Sequence, residues 1–238
     1  MSFSEVTQEL LQGFGITTML FALTLVLAIP LGLAISFCSM SKFKVIKIPT
    51  KIFIWVIRGI PLMLFIFAVY YLPRFMIQSE TQQTIFEYID LQATIASGGN
   101  ELLWYGSFLA VLIAFVINYA CYFSEIFRGG IESIPQGQYE AGYVLGMSKS
   151  QVFFKVVLKQ VIKRIVPPMS NEIITLVKDT ALANVIAIPE IIHRAKVMES
   201  NQALVWPIFY TAVFYLIFVG VLTILLGKLE KKLSYFKA

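Results

Sequence analysis

SIPQGQYEAGYVLGMSKSQVFFKVVLKQV, residues 133–161, interrupts a chain that is otherwise mostly apolar. It holds glycines, glutamines, a glutamate and several lysines, yet Ala141, Val144, Leu145 and Ser148 recur at the i, i+3, i+4, i+7 spacing of one helical face. Pro135 and Gly137 precede this short helix, Gly146 is placed to end it, and a second helical stretch, residues 152–161, follows. A polar helix among apolar runs has two readings. It lies on the lipid as an interfacial amphipathic helix, or it is offered to the groove of a cytoplasmic partner.

The surroundings narrow the choice. Of 238 residues, 58% are hydrophobic and 14% charged, against roughly 45–50% and 25% in a soluble domain. The chain therefore reads as a single all-α, multi-pass membrane domain, since a backbone in lipid must satisfy its own hydrogen bonds. A net charge of +5 is a formal hint of nucleic acid, but the lysines sit at the ends of apolar runs, where membrane proteins keep them. A helix needs ~20 apolar residues to cross a bilayer core. About five spans meet that need: residues 14–40 with Pro30, 48–72 with Arg58 and Pro61, 102–123, a more polar 165–189 that turns irregular near 178–184, and 205–226.

Sidedness follows from loop charge. The first loop carries Lys42, Lys44, Lys47 and Lys51, for +4. The second sets Arg74 against Glu80, Glu87, Asp90 and Glu101, for −3. Residues 128–164 hold six basic groups against Glu132 and Glu140, for +4; residues 190–201 balance; and the tail, four lysines against Glu230, is +3. The alternation places the N-terminus outside, with residues 133–161 and the C-terminus in the cytoplasm.

Glu140-Ala141-Gly142, Gly146 after three further residues, then Val156 and Leu158 resemble the "EAA" loop of ABC importer permeases. Gly142 stands where that pattern has a second Ala, and Lys159 where it has Pro, a change that lets the second stretch continue as helix. RGIP (58–61), SEIFRGGIESIPQGQYEAG (124–142) and PPMSNEIITLVKDTALANVI (167–186) look like the polar amino acid uptake subfamily. The resemblance implies that residues 133–161 form a coupling helix between spans 3 and 4, seated in a cleft of a separate ATPase through Glu140, Ala141, Gly142 and Gly146. It implies two ATP-binding subunits carrying the ATP and magnesium, a second permease as homo- or heterodimer, an extracytoplasmic amino-acid-binding protein, a bacterial inner-membrane location, and no cofactor on this chain. GVLTILLGKL (220–229) is not a phosphate loop, having six residues between its glycines instead of four and no following Ser or Thr. A metal site and catalytic residues are not expected, with one histidine, His193, and Cys38 far from Cys121.

A charge at the bilayer centre costs at least ~2.5–3.5 kcal/mol, so those inside spans need a reason. Arg58, beside Pro61, reads as snorkelling to the cytoplasmic surface, with gating as the other reading. Glu125 and Arg128, three residues apart, read as a structural pair. Glu172 and Asp179, seven apart, share a face with Thr175 between them, and Lys178 and Thr180 adjoin. That cluster is either a neutralised packing device or the lining of an amino-acid route, where a zwitterion needs both a carboxylate and a cation. The subfamily commonly shows Lys-Asp-Thr-Ser here, and Ala181 removes the last hydroxyl. The competing function is a secondary amino acid transporter or channel without an ATPase.

Overall fold

A computed structural model describes residues 1–76, 83–97 and 104–233, and within these the chain is helical with no strand. Glu80, Glu101, Lys237 and the expected third-span start at residue 102 lie outside the described residues. The first helix, α1, runs Phe3–Ser39 without a break at Pro30. It starts well before residue 14 because Ser2 and Glu5 form a capping box: Glu5 N–H donates to Ser2 Oγ at 3.3 Å and Ser2 N–H to Glu5 Oε2 at 2.8 Å. Its 37 residues span ~55 Å, beyond a ~30 Å hydrocarbon core.

Residues 48–72 are not one straight span. Helices α2 (Lys44–Gly59) and α3 (Leu62–Met76) meet at 108°. The cause is local: Pro61 lacks an N–H and forces Ile60 out of the helical region, to φ −93°, ψ 132°.

The second loop contains a helix, α4 (Ile85–Ala96), that the charge tally treated as loop. Its Asp90, 7% exposed, accepts from Gly106 N–H at 2.6 Å, Ser107 N–H at 3.1 Å and the Ser107 hydroxyl, and so caps α5 (Tyr105–Glu132). α5 is the hub of the fold, packed against α1, α2, α3, α4 and the later α8 (Leu158–Asp179). Its Phe115, Tyr119, Ala120 and Phe123 are buried, and Gly32 lets α1 approach so closely that an added Cβ would lie 2.8 Å from Ala120 O.

After α5 come α6 (Gln136–Val144), a short α7 (Lys149–Gln151), a π-helical turn over Val152–Val157, and α8. Ser148, expected on the face of α6, instead caps α7: Gln151 N–H donates to its Oγ at 3.3 Å and its own N–H to Gln151 Oε1 at 2.9 Å. Lys159 lies in unbroken helix, as the loss of proline there predicts. α8 gives way at Asp179 to a 3₁₀ turn, Thr180–Ile186, so the irregularity expected near 178–184 is present. Thr180 donates to Val177 O and Asn184 to Ala181 O, local bonds that compete with the α-helical ladder.

Two further helices complete the chain, α9 (Ile191–Gln202) and α10 (Trp206–Leu233). Packing of α9 explains the extra turns of α1: Val6 and Leu10 are buried with Ile191, Ala195 and Met198, and Arg194 pairs with Glu9. Among the described residues α1, α5 and α10 are long and apolar enough to cross a membrane, and a fourth crossing exists if α2 and α3 count as one bent span. α8, carrying Lys163, Arg164, Glu172 and Lys178, does not qualify by composition.

Candidate functional site

The 108° break exposes one turn of backbone to α5 and α8, and a cavity of about 530 Å³ lies between the three. The break contributes Arg58 and Pro61, α5 contributes Asn118, Tyr119 and Tyr122, and α8 contributes Glu172, Thr175 and Asp179. The seven-residue spacing thus does what helical geometry requires, placing both carboxylates and Thr175 on one wall.

Lys178 and Thr180 do not join that wall. Each is one residue, about 100°, from Asp179, so Lys178 turns outward and is exposed while Thr180 is buried with its hydroxyl 2.6 Å from Val177 O. The cation facing the carboxylates is Arg58. It lines the cavity, its guanidinium 4.9 Å from the Tyr122 ring centroid and 3.7 Å from Glu125 Oε2. The expected Glu125–Arg128 pair is present, with nitrogen–oxygen distances of 2.6 and 3.1 Å, and Arg128 also reaches Glu132 at 2.6 Å.

Asn118, 4% exposed, and Tyr119, which donates to Asp179 Oδ2 at 2.7 Å, were missed from sequence. The signal for Asn118 existed: it is the one amide within residues 102–123. Together two carboxylates, a phenol, an amide and a guanidinium offer partners for both an ammonium and a carboxylate group.

The second candidate region is α6. Glu140 and Ala141 are exposed, and so are Val144 and Leu145, at 87% and 79%. Gly142 faces inward instead: a Cβ there would lie 2.7 Å from Val152 Cγ2, and Val152 is fully buried. Its smallness serves packing between α6 and the following turn, not an outer contact. Gly146 has φ +74°, the left-handed conformation that glycine adopts without strain, and it turns the chain sharply after α6.

Residues 28–235 match the family described as binding-protein-dependent transport system inner membrane component. The chain is similar to the probable amino-acid ABC transporter permease protein YckA of Bacillus subtilis, 28% identical over 95% of this chain and 89% of that protein. It is similar also to the L-cystine transport system permease protein TcyB of the same organism, 30% identical over 95% and 87%. Among solved structures it is similar to an amino acid ABC transporter crystallised with histidines, with TM-score 0.77, 27% identity and 96% of each chain covered.

Proposed function

Since this chain belongs to the binding-protein-dependent transport system inner membrane component family, we propose that it moves a polar amino acid through the cavity walled by Glu172, Thr175 and Asp179. It is a permease subunit of an ABC importer, and ATP hydrolysis lies with a separate ATPase. That membership decides against a secondary transporter or channel. The observation that carries the substrate reading is the cavity itself. A neutralised packing device would be filled, whereas these carboxylates border about 530 Å³ of open space with Arg58 opposite. Relatives that are amino-acid and L-cystine permeases support the same class.

In this reading one of two ATPases docks on the exposed residues of α6, with Glu140 accepting a charge-assisted hydrogen bond from a basic group and Gly146 setting the turn behind it. A second permease, identical or not, completes the pathway, and an extracytoplasmic binding protein delivers the solute. The chain sits in a bacterial inner membrane with its N-terminus outside and α6 and the C-terminus in the cytoplasm.

The test is ATP-driven uptake in proteoliposomes holding the whole transporter and its binding protein. Asp179→Asn is expected to lower uptake about 10- to 100-fold, the ~1.5–3 kcal/mol of a hydrogen bond to a charged group, with assembly unchanged and Glu172→Gln following in the same direction. Normal uptake by both variants would return the carboxylates to packing. Cysteines placed at Lys47 and Glu87 are expected to react with an impermeant thiol reagent from the cytoplasmic and outer sides respectively; the opposite pattern inverts the topology.

A further inference from the structure

Arg58 borders two cavities. Besides the larger one it lines a smaller space of about 260 Å³ with Lys51, Ile54, Trp55, Glu125 and Arg128. The two are stacked along α5. Asn118, Tyr119 and Tyr122 face the first, while Glu125 and Arg128, one to two turns further on, face the second. The smaller space is therefore on the side of α5 that leads through Ser133 into α6. Arg58 stands in the partition, with Glu125 and Tyr122 on one side and Glu172 within electrostatic reach on the other.

Its hold on that partition is weak. Both Glu125 oxygens are already bonded by Arg128 at 3.1 and 2.6 Å, leaving Arg58 at 3.7 Å, outside hydrogen-bond distance. The space beside it is open: Gly59 meets no atom within 4 Å of where a Cβ would stand, and the helix stops at Ile60. Glu125 in turn is tied to the end of α5 through Arg128 and Glu132, and Arg164 of α8 donates to Ser133 O. Glu125 is thus held as part of the end of α5 from which α6 departs.

We propose that Arg58 is the inner gate of the amino-acid route: bound between Glu125 and Tyr122 it closes the passage between the two cavities, and swinging to Glu172 it opens it. The element with two states is the long Arg58 side chain, and its two positions differ in which carboxylate the guanidinium meets. The proposal rests on the larger cavity being the amino-acid route, and its experiment reads something separate from uptake.

In the assembled transporter, with Cys38 and Cys121 replaced, a cysteine at Thr175 reports access to the cavity from the cytoplasmic side through a membrane-impermeant methanethiosulfonate. Arg58→Gln is expected to raise the labelling rate about tenfold, because loss of both the ion pair with Glu125 and the contact with the Tyr122 ring shifts a two-state equilibrium by that order, and to raise ATP hydrolysis in the absence of amino acid. Arg58→Lys, which keeps the charge, is expected to restore most of the protection. A purely structural staple between α2 and α5 predicts unchanged labelling in an assembled Arg58→Gln complex, and that result overturns the gate. If Arg58→Gln fails to assemble, Tyr122→Leu removes the ring contact but spares the ion pair. It is expected to raise labelling about threefold, and wild-type labelling in that variant also overturns the gate. Uptake by Asp179→Asn and Glu172→Gln reports on the route alone, so failure of the route and failure of the gate are told apart.

Discussion

Around the cavity, polar side chains from three helices face one another: Asn118 is 4% exposed, Asp179 accepts from Tyr119 at 2.7 Å, and Arg58 and Thr175 stay exposed at the rim. On α6 the situation is reversed. Val144 and Leu145 stand 87% and 79% exposed at the end of a helix that also carries glutamines, glycines and Glu140. The cavity groups come from three parts of the chain and are joined by bonds such as Tyr119–Asp179, sixty residues apart in sequence. α6 is held by nearer neighbours, chiefly Gly142 on Val152 and Gln160 donating to Gln138 at 3.0 Å. Each region leaves one need unmet within the chain. Polar groups gathered on open space suit a polar guest, and exposed apolar groups suit an apolar cover. That difference is what the proposed solute site and the proposed docking site rest on.

The sharpest way to break the contrast is at Gly146. A β-branched side chain at φ +74° is strained by more than ~2 kcal/mol, so Gly146→Val is expected to displace α6 and lower ATPase retention about 30-fold in co-purification, while the permease still inserts. Full retention would mean that the ATPase does not read the outer face of α6.

A smaller effect is expected at Gly142, where the correction from outer contact to inner packing can be checked directly. Gly142→Ala presses a methyl onto Val152, overpacking that costs about 1–3 kcal/mol, and ATPase retention should fall about tenfold. Adding Val152→Ala should restore it, because the clash lies within the chain. If Gly142 touched the ATPase, the second substitution would make no difference.

The smallest effect concerns a polar group that is enclosed but satisfied. Glu190 is fully buried and caps α9, accepting from Ile192 and His193 N–H at 2.9 and 2.7 Å. Burial, set against those amides, Lys196 and Tyr215, still pushes its carboxyl up to about 7 from an ordinary 4.5. A raised pKa means that the folded state favours the protonated form. The contribution is full below about pH 4.5 and is lost as pH rises through about 7. The unfolding midpoint in detergent should thus fall by several degrees (about 2–4 °C per kcal/mol for a chain of this size) from pH 5 to pH 8, and Glu190→Gln should flatten that slope. His193, held low by burial and by Lys196 and Arg194, titrates nearby, so the variant is the proper control. A slope equal in both proteins would exclude Glu190 as its source.

Much of this was legible in one dimension because it depends on local geometry. Helical spacing alone put Glu172, Thr175 and Asp179 on a shared wall, the i,i+3 spacing paired Glu125 with Arg128, and Gly146 ended a helix. Other features depended on which helix lay opposite. Asp90 counted as a loop charge until the first turn of α5 was seen to rest on it. The first span was expected from residue 14, yet the helix starts at Phe3, where α9 supplies the cover for Val6 and Leu10 and a partner for Glu9.

By itself, then, the sequence determined that this is an all-helical membrane chain with a polar, helix-forming insertion and a charged face in its fourth apolar stretch. Periodicity and hydropathy act over a few turns and need no knowledge of neighbours. Only the tertiary structure decided that residues 44–76 bend through 108°, that Arg58 rather than Lys178 faces the carboxylates, and that Gly142 looks inward. The reason is common to all three. Where a kinked chain goes, and what meets a side chain beyond its own helix, is settled by close packing against α5 and the turn after α6, over distances that no local pattern encodes.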